Sequence, residues 1–392
     1  METFYRTHNY LLNHVQSSVR RELMDEIDWN ARLIGIKGTR GVGKTTFLLQ
    51  YAKDYFGPDS RECLYINLNQ FYFTANRIVD FAYDFRLKGG KVLLLDQVFK
   101  YPNWSEELKE CYDRFPDLRI VFTGSSVMRL KEENADLSDK VQSYNLRGYS
   151  FREFLNLMAK TSFPSYKLDE LLANHTEIAR SIVSKVKPLA YFRDYQHHGF
   201  YPFFTEKRNF SENLLKTMNM ILEVDVLLIK QIEQSYLPKL KKLLYLLYLE
   251  ALGSPPNVSQ LSKEIETSRA TVMNYMKYMK DGRLINLLYP LDEEFPKKPA
   301  KIYMQNSNLL FPIGPEPVTE QVVRETFFYN QLYKDNILNS TQKATFLVNK
   351  EMQFHIEESV GTKQLPGHYY AIEKIEVGEK NIIPLWLFGF LY

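Results

Sequence analysis

The chain has 392 residues, which exceeds the size at which one hydrophobic core usually stops growing, so two or three domains are expected. Hydrophobic residues make up 45% and charged residues 25% of the chain, which excludes a largely disordered protein. A formal charge of +3 excludes nucleic-acid binding driven by overall charge, so any DNA contact must come from a local patch.

The sequence also bears on the cellular compartment. The first residues are charged and polar, unlike a signal peptide, and no run approaches the roughly 20 apolar residues that a membrane span needs. The two cysteines and the seven histidines show no metal-ligand spacing, and a thiol-poor chain suits a reducing compartment. We therefore expect a cytoplasmic protein with no membrane association.

Strands and helices alternate in the first third of the chain. Apolar positions at helical spacing predict a helix over residues 10–27, followed by the strand RLIGIKG, a glycine-rich loop and the helix KTTFLLQYAKDYF. Further predicted strands are 63–68, 91–96 and 119–124, and the helical stretches between them are 76–87 and 105–114. Strands that are apolar on both faces are typical of a buried parallel sheet. The pattern predicts an α/β domain with a doubly wound parallel sheet of the P-loop NTPase type.

The remainder of the chain is helical at first and mixed towards its end. Residues 239–290 alternate helices and turns in the outline of a winged helix-turn-helix, and short strands then surround one helix near 318–333. We divide the chain into a P-loop ATPase domain, a helical lid or linker, a winged helix-turn-helix and an α+β C-terminal domain, with the respective ranges 1–150, 151–235, 236–295 and 296–392.

The glycine-rich loop satisfies the phosphate-binding pattern G-x-x-x-x-G-K-[ST] at every fixed position, between a predicted strand and a predicted helix. Backbone N–H groups of such a loop surround phosphates, and the helix beginning near Lys44 adds its positive end. Lys44 is expected to reach the β and γ phosphates, and the Thr45 hydroxyl is expected to hold Mg²⁺. The predicted cofactor-binding residues for ATP are Gly38, Thr39, Arg40, Gly41, Val42, Gly43, Lys44, Thr45 and Thr46.

The strand KVLLLD delivers Asp96 to the carboxyl edge of the predicted sheet, where ligands bind in open α/β folds. We predict that Asp96, with Thr45, serves the Mg²⁺ ion. ATPases of this type usually follow the aspartate with a glutamate that activates water, but residue 97 is glutamine, which cannot accept a proton. We therefore expect ATP binding with slow or absent hydrolysis, since a general base contributes about 10² to 10⁴ in rate. Both a natural glutamine and an engineered trap of the ATP-bound state fit this pattern.

The predicted strand RIVFTGSS ends in hydroxyl side chains beside the expected position of Asp96. Ser125 or Thr123 could sense the γ-phosphate, and we include Ser125 with Lys44, Asp96 and Gln97 as candidate catalytic residues. Hydroxyls at a strand end also serve as helix caps, so both roles stay open.

The predicted recognition helix lies in SRATVMNYMKYMKDGRLIN, with Ser268 as its N-cap. Arg269, Asn274, Lys277 and Lys280 are expected on its exposed face, where they could contact a DNA major groove. Basic residues at 239, 241 and 242 could add phosphate contacts, whose binding would weaken as salt rises. Val272, Tyr275, Met276 and Met279 are expected in the core, and winged helices also serve protein contacts.

With these motifs, the chain resembles the bacterial and archaeal AAA-type ATPases that carry a C-terminal domain of unknown function with a nuclease-like core. The resemblance implies an ATPase domain, a winged helix, a C-terminal fold similar to PD-(D/E)xK nucleases and an ATP-dependent homo-oligomer. The segments that carry it are GTRGVGKTT, LLLDQVFKYPNWSEELKECYD, RIVFTGSS, ADLSDKVQSYNLRGYSFREFL, HHGFYPFF, RETFFYNQL and IPLWLFGFLY.

The chain departs from this family in two places. Relatives tend to have DLSRR where this chain has DLSDK, so Asp139 and Lys140 replace arginines, and Arg129, Arg147 and Arg152 are candidate substitutes. Thr345, His355 and Ser359 replace the aspartate, glutamate and lysine of the nuclease motif, while Glu325 and Lys363 remain and Glu357 or Glu358 could supply a shifted ligand. Without the metal-binding carboxylates and the lysine, we expect a degenerate nuclease fold and no cleavage.

Two hypotheses follow for the function. In the first, an AAA-type ATPase uses ATP binding to act on DNA or a DNA-bound partner through its C-terminal half. In the second, a nucleotide-gated assembly module makes only protein contacts through its winged helix and degenerate nuclease fold.

Overall fold

The computed structural model of the chain describes residues 1–15, 19–130, 137–206, 209–253, 255–362 and 364–392. They divide into two compact units, Met1–Arg147 and Gly148–Tyr392. The predicted boundaries at 235/236 and 295/296 fall within the second unit.

The first unit is a five-stranded parallel sheet with helices on its faces. All strands pair in parallel, in the order β2-β3-β4-β1-β5. This arrangement fits a P-loop NTPase α/β fold. The strands are β1 (Leu33–Gly38), β2 (Cys63–Asn67), β3 (Val92–Asp96), β4 (Arg119–Ser125) and β5 (Gln142–Asn145). The helices are α1 (Glu2–His14), α2 (Leu23–Glu26), α3 (Lys44–Tyr55), α4 (Ile78–Leu87) and α5 (Trp104–Arg114).

The chain order of the strands explains where the helices lie. The connection from β1 crosses to the far edge at β2, and the next two connections return through β3 to β4. Because parallel crossovers are right-handed, α3 covers one face of the sheet while α4 and α5 pack together on the other. The carboxyl ends of β1, β3 and β4 therefore meet at one edge, beside the point where the strand order reverses.

The predicted helix over residues 10–27 is wrong in its range. The helix α1 begins at Glu2 and ends at His14, and Val15 already has an extended backbone. Its buried face consists of Tyr5, His8 and Leu12, at the spacing of one helical stripe. Tyrosine and histidine extend this stripe towards the start of the chain, which a count of aliphatic positions misses.

Helix α1 covers β2, the edge strand of the sheet. The backbone N–H of Tyr65 donates to Nδ1 of His8 over 3.0 Å, and His8 is completely buried. An edge strand otherwise presents unpaired N–H and C=O groups. The histidine therefore satisfies one of these donors from a helix, and it must be neutral to accept the hydrogen bond.

The second unit is built on a seven-stranded mixed sheet in the order β12-β11-β10-β9-β8-β6-β7. Its strands are β6 (Ile285–Pro290), β7 (Lys301–Met304), β8 (Leu338–Ser340), β9 (Phe346–Val348), β10 (Met352–Glu357), β11 (His368–Ile372) and β12 (Ile382–Pro384). Its helices are α6 (Phe151–Ala159), α7 (Leu168–Val183), α8 (Leu189–Asp194), α9 (Phe210–Met220), α10 (Leu227–Ile229), α11 (Leu237–Ala251), α12 (Val258–Glu264), α13 (Arg269–Asp281) and α14 (Glu320–Leu332).

One hydrophobic core joins distant parts of this unit. Residues of α6 and α7 share it with the buried helix α14, with the strands from β8 onward and with the apolar tail of the chain, where Trp386 and Phe388 are fully buried. Ser150 caps α6 in a reciprocal capping box with Glu153. The predicted helical segment after residue 150 thus packs into the same core as the end of the chain.

A buried polar network fixes the segment that follows α8. Residues Tyr195–Gly199 form a π-helical turn, whose freed carbonyls need donors. The side-chain amide of Asn308 donates to the backbone carbonyls of Tyr195 and Gln196 over 3.0 and 2.9 Å, and its side-chain oxygen Oδ1 accepts from the N–H of Phe200 over 2.9 Å. The motif HHGFYPFF therefore has a structural role at this turn.

We expect the stability of the first unit to fall below neutral pH because of His8. Burial lowers the pKa of His8 to about 4, below the value of about 6.5 in an unfolded chain. Stabilisation by the neutral imidazole is therefore complete above about pH 6.5 and is lost as the pH falls towards 4. Between pH 7 and pH 5 this single group should cost roughly 2 kcal/mol in the free energy of unfolding.

Urea unfolding of the wild type and of His8→Asn at both pH values measures this effect. Asparagine can accept the Tyr65 hydrogen bond without titrating, because its Oδ1 is bonded to Cγ as Nδ1 is in histidine, so the variant should lose this part of the pH dependence. His14→Asn, on the exposed side of the same helix, is the matched control. An equal pH dependence in all three proteins would contradict the assignment.

Candidate functional site

The loop between β1 and α3 has the backbone geometry of a phosphate cradle. Gly41 and Gly43 have φ of 81° and 90°, in the left-handed region that glycine enters without steric cost. Gly38 lies so close to the neighbouring chain that an added Cβ would meet the carbonyl oxygen of Leu146 at 2.5 Å. The glycines at these positions are therefore required by backbone conformation and by close approach.

The start of α3 places Lys44 and Thr45 at this loop. The Lys44 ammonium donates to the carbonyls of Gly38 and Thr39 over 2.7 and 2.8 Å, so its charge lies over the loop. The side chains of Thr45 and Thr46 lie on an exposed part of the first turn, where the positive end of the helix favours anions. The predicted residues Arg40 and Val42 lie in the loop before this helix, and the Arg40 guanidinium lies 5.9 Å from the Phe99 ring centre.

Three hydroxyl groups converge on the buried carboxylate of Asp96, which is 1% exposed. Thr45 Oγ1 and Tyr65 Oη donate to its Oδ2 over 2.7 and 2.8 Å, and Thr123 Oγ1 donates to its Oδ1. A buried carboxylate needs such donors to offset the loss of hydration. Sequence analysis placed Thr45 and Asp96 together, and the structure brings them into direct contact.

Gln97 follows in an unusual backbone conformation, with φ 61° and ψ 45°. Its N–H donates to Thr123 Oγ1 over 2.9 Å, so one threonine holds both Asp96 and Gln97. Left-handed backbone at a non-glycine residue is uncommon and is often found at functional sites. Ser125, the other candidate on β4, is buried and its Oγ accepts from the N–H of Val127 over 3.3 Å, which is a turn-capping contact.

Two residues at this site escaped sequence analysis. Tyr65 lies in an apolar strand, where a tyrosine looks like core, and burial with the nearby Asp96 charge raises the pKa of its hydroxyl, which stays protonated. Arg21 precedes α2 and donates to the carbonyls of Val42 and Arg147 over 3.1 and 2.6 Å. No motif marks either residue, because both act through the fold and are distant in sequence from the loop.

Two regions of the chain match family models. Residues 30–155 match the family model of the AAA domain, and residues 189–311 match a domain of unknown function, DUF8612. Residues 30–155 therefore form an AAA-type ATPase domain. Comparison with curated proteins finds no match.

Two solved structures resemble the chain at low TM-scores. A single-substitution variant of RuvB from Thermotoga maritima is 13% identical, with 73% of this chain and 89% of that chain covered and a TM-score of 0.31. PCH-2 from C. elegans is 19% identical, with 46% of each chain covered and a TM-score of 0.24. The assignment of the AAA domain rests on the family match.

The candidate arginines occupy different surroundings. Arg152 lies in the second unit, is 7% exposed, and donates to the carbonyls of Tyr392 and Phe163 over 3.0 and 3.2 Å. It is therefore a packing residue of that unit. Arg129 and Arg147 are half-buried within the first unit, and the Lys140 ammonium lies 3.1 Å from the Asp139 carboxylate.

Three residues compared with the nuclease motif, Glu325, Thr345 and His355, line a cavity of about 520 Å³ in the second unit. Glu325 is 6% exposed, and its two oxygens accept from Lys301, Tyr303 and Gln321 over 2.5, 2.8 and 2.8 Å. The Lys301 ammonium thus occupies the Glu325 carboxylate oxygen that a metal ion would need.

The other residues compared with the nuclease motif have contacts of their own. Thr345 accepts from the N–H of Ile356 over 3.2 Å, and His355 Nε2 lies 2.9 Å from His368 Nδ1. Ser359 is exposed, Glu358 pairs with Lys374, and Lys363 lies outside the described residues. Across the described ranges, no group of three or more His, Cys, Asp or Glu side chains could hold a metal ion.

The predicted recognition helix, α13, has a buried face and an exposed face. Ser268 caps it through the N–H of Thr271, and Val272, Tyr275, Met276 and Met279 are buried, as predicted. Arg269 and Asn274 are exposed, and Lys277 Nζ lies 4.5 Å from the Phe295 ring centre.

Each of the three lysines of α11 named above has a hydrogen-bonding partner next to it. Lys239 donates to the carbonyl of Glu266 over 2.8 Å, Lys241 to the Glu223 carboxylate over 2.6 Å, and Lys242 to the carbonyl of Glu264 over 2.5 Å.

For the part of the chain that the structure describes, no helix has the length and apolar content that a membrane crossing requires.

We expect Thr123→Val to destabilise the AAA domain by about 1–3 kcal/mol, because it leaves the Gln97 N–H without its acceptor and removes a donor from Asp96. Thr123 is fully buried, and valine has nearly the same shape, so the cost should come from the lost hydroxyl. Thr123→Ser keeps the hydroxyl and loses one methyl group, about 1 kcal/mol. Urea unfolding compares the three proteins, and a serine variant no more stable than the valine variant would contradict this role.

Proposed function

We propose that the chain binds Mg-ATP in its AAA domain, hydrolyses it slowly or not at all, and couples the nucleotide state to DNA binding through its second unit. The family match already supports an ATP-binding ATPase. The main support for the proposal is that Thr45, Asp96 and Thr123 converge beside the phosphate loop. This arrangement places hydroxyl and carboxylate oxygens next to the expected position of the phosphates.

The residues of the loop fit a triphosphate. Left-handed glycines at positions 41 and 43 allow N–H groups to turn inward, and the close approach at Gly38 leaves no room for a side chain. Lys44 would bind the β and γ phosphates. Thr45 and Asp96 would hold Mg²⁺, which usually takes one or two protein ligands beside phosphate oxygens. The bound ion would neutralise phosphate charge, while the protein orients the nucleotide.

Slow hydrolysis follows from the chemistry of residue 97. A glutamine amide cannot take the proton of an attacking water, although its backbone is held beside Asp96 by Thr123. The missing base contributes about 10² to 10⁴ in rate in comparable enzymes. The AAA family also suggests ATP-dependent homo-oligomers, in which an arginine of a neighbouring copy would complete the site.

For DNA, we propose that the helices α11 to α13 and the β6–β7 hairpin act as a winged helix-turn-helix. Arg269 at the start of α13 and Lys298 in the hairpin line a cavity of about 550 Å³ with Asn257 and Ser259. Two cations beside hydrogen-bonding groups would suit a backbone phosphate.

The alternative is a nucleotide-gated assembly module without DNA activity. The local partners of Lys239, Lys241 and Lys242 favour it, because these lysines already neutralise glutamates or cap helix carbonyls. In both cases we propose that the C-terminal part is a degenerate PD-(D/E)xK nuclease fold without cleavage activity. The Lys301 contact with Glu325 supports this, since it occupies the carboxylate with an internal cation.

The first test is ATP turnover of the wild type beside Gln97→Glu. We expect both chains to bind ATP, and glutamate to raise the rate of phosphate release about 10² to 10⁴-fold because it supplies the base. Gln97→Glu combined with Lys44→Ala is the control and should lose both binding and turnover. Size-exclusion chromatography with and without Mg-ATP reports assembly. Binding without turnover in both chains would overturn the catalytic role of position 97.

The second test separates the two functions by DNA binding at increasing salt. We expect binding to a duplex to weaken as salt rises, and Arg269→Glu with Lys298→Glu to reduce the salt slope by about 2. Lys216→Glu, an exposed position of the same unit, is the matched charge control and should keep the wild-type slope. Absence of binding at low salt would favour the assembly module.

A further inference from the structure

We propose that Tyr65 is a positioning residue of the magnesium site, which acts by orienting the Asp96 carboxylate through its phenolic hydroxyl. This inference rests on the proposed Mg-ATP binding. No motif of the phosphate loop includes a tyrosine on the edge strand, and the assignment comes from geometry alone.

Tyr65 and Thr45 share one oxygen of the Asp96 carboxylate. Asp96 Oδ2 accepts from Tyr65 Oη over 2.8 Å and from Thr45 Oγ1 over 2.7 Å. With its proton on this oxygen, the Thr45 hydroxyl could offer its lone pairs to a bound Mg²⁺. The direction of the Thr45 hydroxyl therefore depends on where Oδ2 lies, and Tyr65 is the second donor that defines this position.

The Tyr65 side chain is long enough to reach Asp96 on the neighbouring strand. In the parallel register of β2 and β3, Tyr65 lies opposite Leu94 and Asn67 lies opposite Asp96. Two residues along a strand correspond to about 6.6 Å. A long, rigid side chain spans this distance, and the ring has only two rotatable bonds, so the hydroxyl position is well defined once the ring is buried.

Tyr65 is itself held in place by burial and by a hydrogen bond from its backbone. Tyr65 is 5% exposed, and its backbone N–H donates to His8 of α1 over 3.0 Å. A helix thus fixes the strand residue, the strand residue fixes the carboxylate, and the carboxylate fixes the threonine. Outer partners of this kind typically change metal affinity about 10 to 100-fold when removed.

The experiment measures ATP binding by calorimetry in EDTA and across a Mg²⁺ titration, for the wild type and Tyr65→Phe. We expect the variant to bind ATP in EDTA as the wild type does, and to need about 10-fold more Mg²⁺ for half of the magnesium-dependent gain in affinity. Tyr51→Phe is the matched control, because Tyr51 is a buried tyrosine of the same unit on α3, stacked against Trp29. It should keep the wild-type Mg²⁺ dependence.

A double-mutant cycle with Asp96→Asn separates positioning from general stability. If Tyr65 acts through the carboxylate, Tyr65→Phe should change the Mg²⁺ dependence little further in the Asp96→Asn background. A Tyr65→Phe protein with wild-type Mg²⁺ dependence and only a lower melting temperature would overturn the inference and leave the proposed function intact. A wild type whose ATP affinity ignores Mg²⁺ would instead overturn the magnesium part of the proposed function, and the inference with it.

Discussion

The first unit depends on surrounding one buried carboxylate, that of Asp96, with hydrogen-bond donors. Asp96 is almost completely buried, and water is replaced around it by hydroxyl groups from α3, β2 and β4. An ionised carboxylate in an apolar interior is costly unless donors surround it. These three donors come from separate elements, so the helix, the edge strand and the central strand must all be in register before the site exists. The geometry of the nucleotide site and the packing of the sheet are therefore one constraint.

The second unit meets a similar demand with neutral groups. Its π-helical turn at Tyr195–Gly199 leaves carbonyls that Asn308 satisfies from more than a hundred residues away. Such a network specifies one arrangement, because each unpaired member would cost about 1–3 kcal/mol. Both ends of this network lie within the DUF8612 match at 189–311. Hydrogen bonds, as well as apolar packing, therefore connect the two ends of the region that this family model matches.

Sequence analysis performed best where periodicity and local chemistry agree. The strands β1 to β4, the loop at Gly38 and the cap at Ser268 were predictable because each depends on residues within a few positions of one another. The short strand β5, which is half exposed and carries no apolar run, was missed. The contact of Thr45 with Asp96 followed from the rule that the carboxyl ends of parallel strands meet. Tyr65 could not be found in this way. An isolated tyrosine in a buried strand carries no local signal, and its partner becomes visible only through the register of β2 and β3.

The errors have the same origin. The first helix was placed too late because His8 and Tyr5 were not counted as buried positions, although an edge strand needs a partner with an acceptor. The partners of the α11 lysines, Glu223, Glu264 and Glu266, could not be predicted either, because they lie 18 to 27 residues away along the chain. Long-range contacts decide whether a charged side chain is a binding group or a structural one.

The cover that α1 provides over β2 also bears on how copies of this chain could meet. A bare edge strand can extend its sheet into another molecule, which is a common route to aggregation and domain exchange. Here a buried histidine takes a hydrogen bond that an incoming strand would need, and a helix fills the space beside it. Growth of the sheet at the β2 edge is therefore closed, and loss of the first fourteen residues would open this edge to disordered self-association.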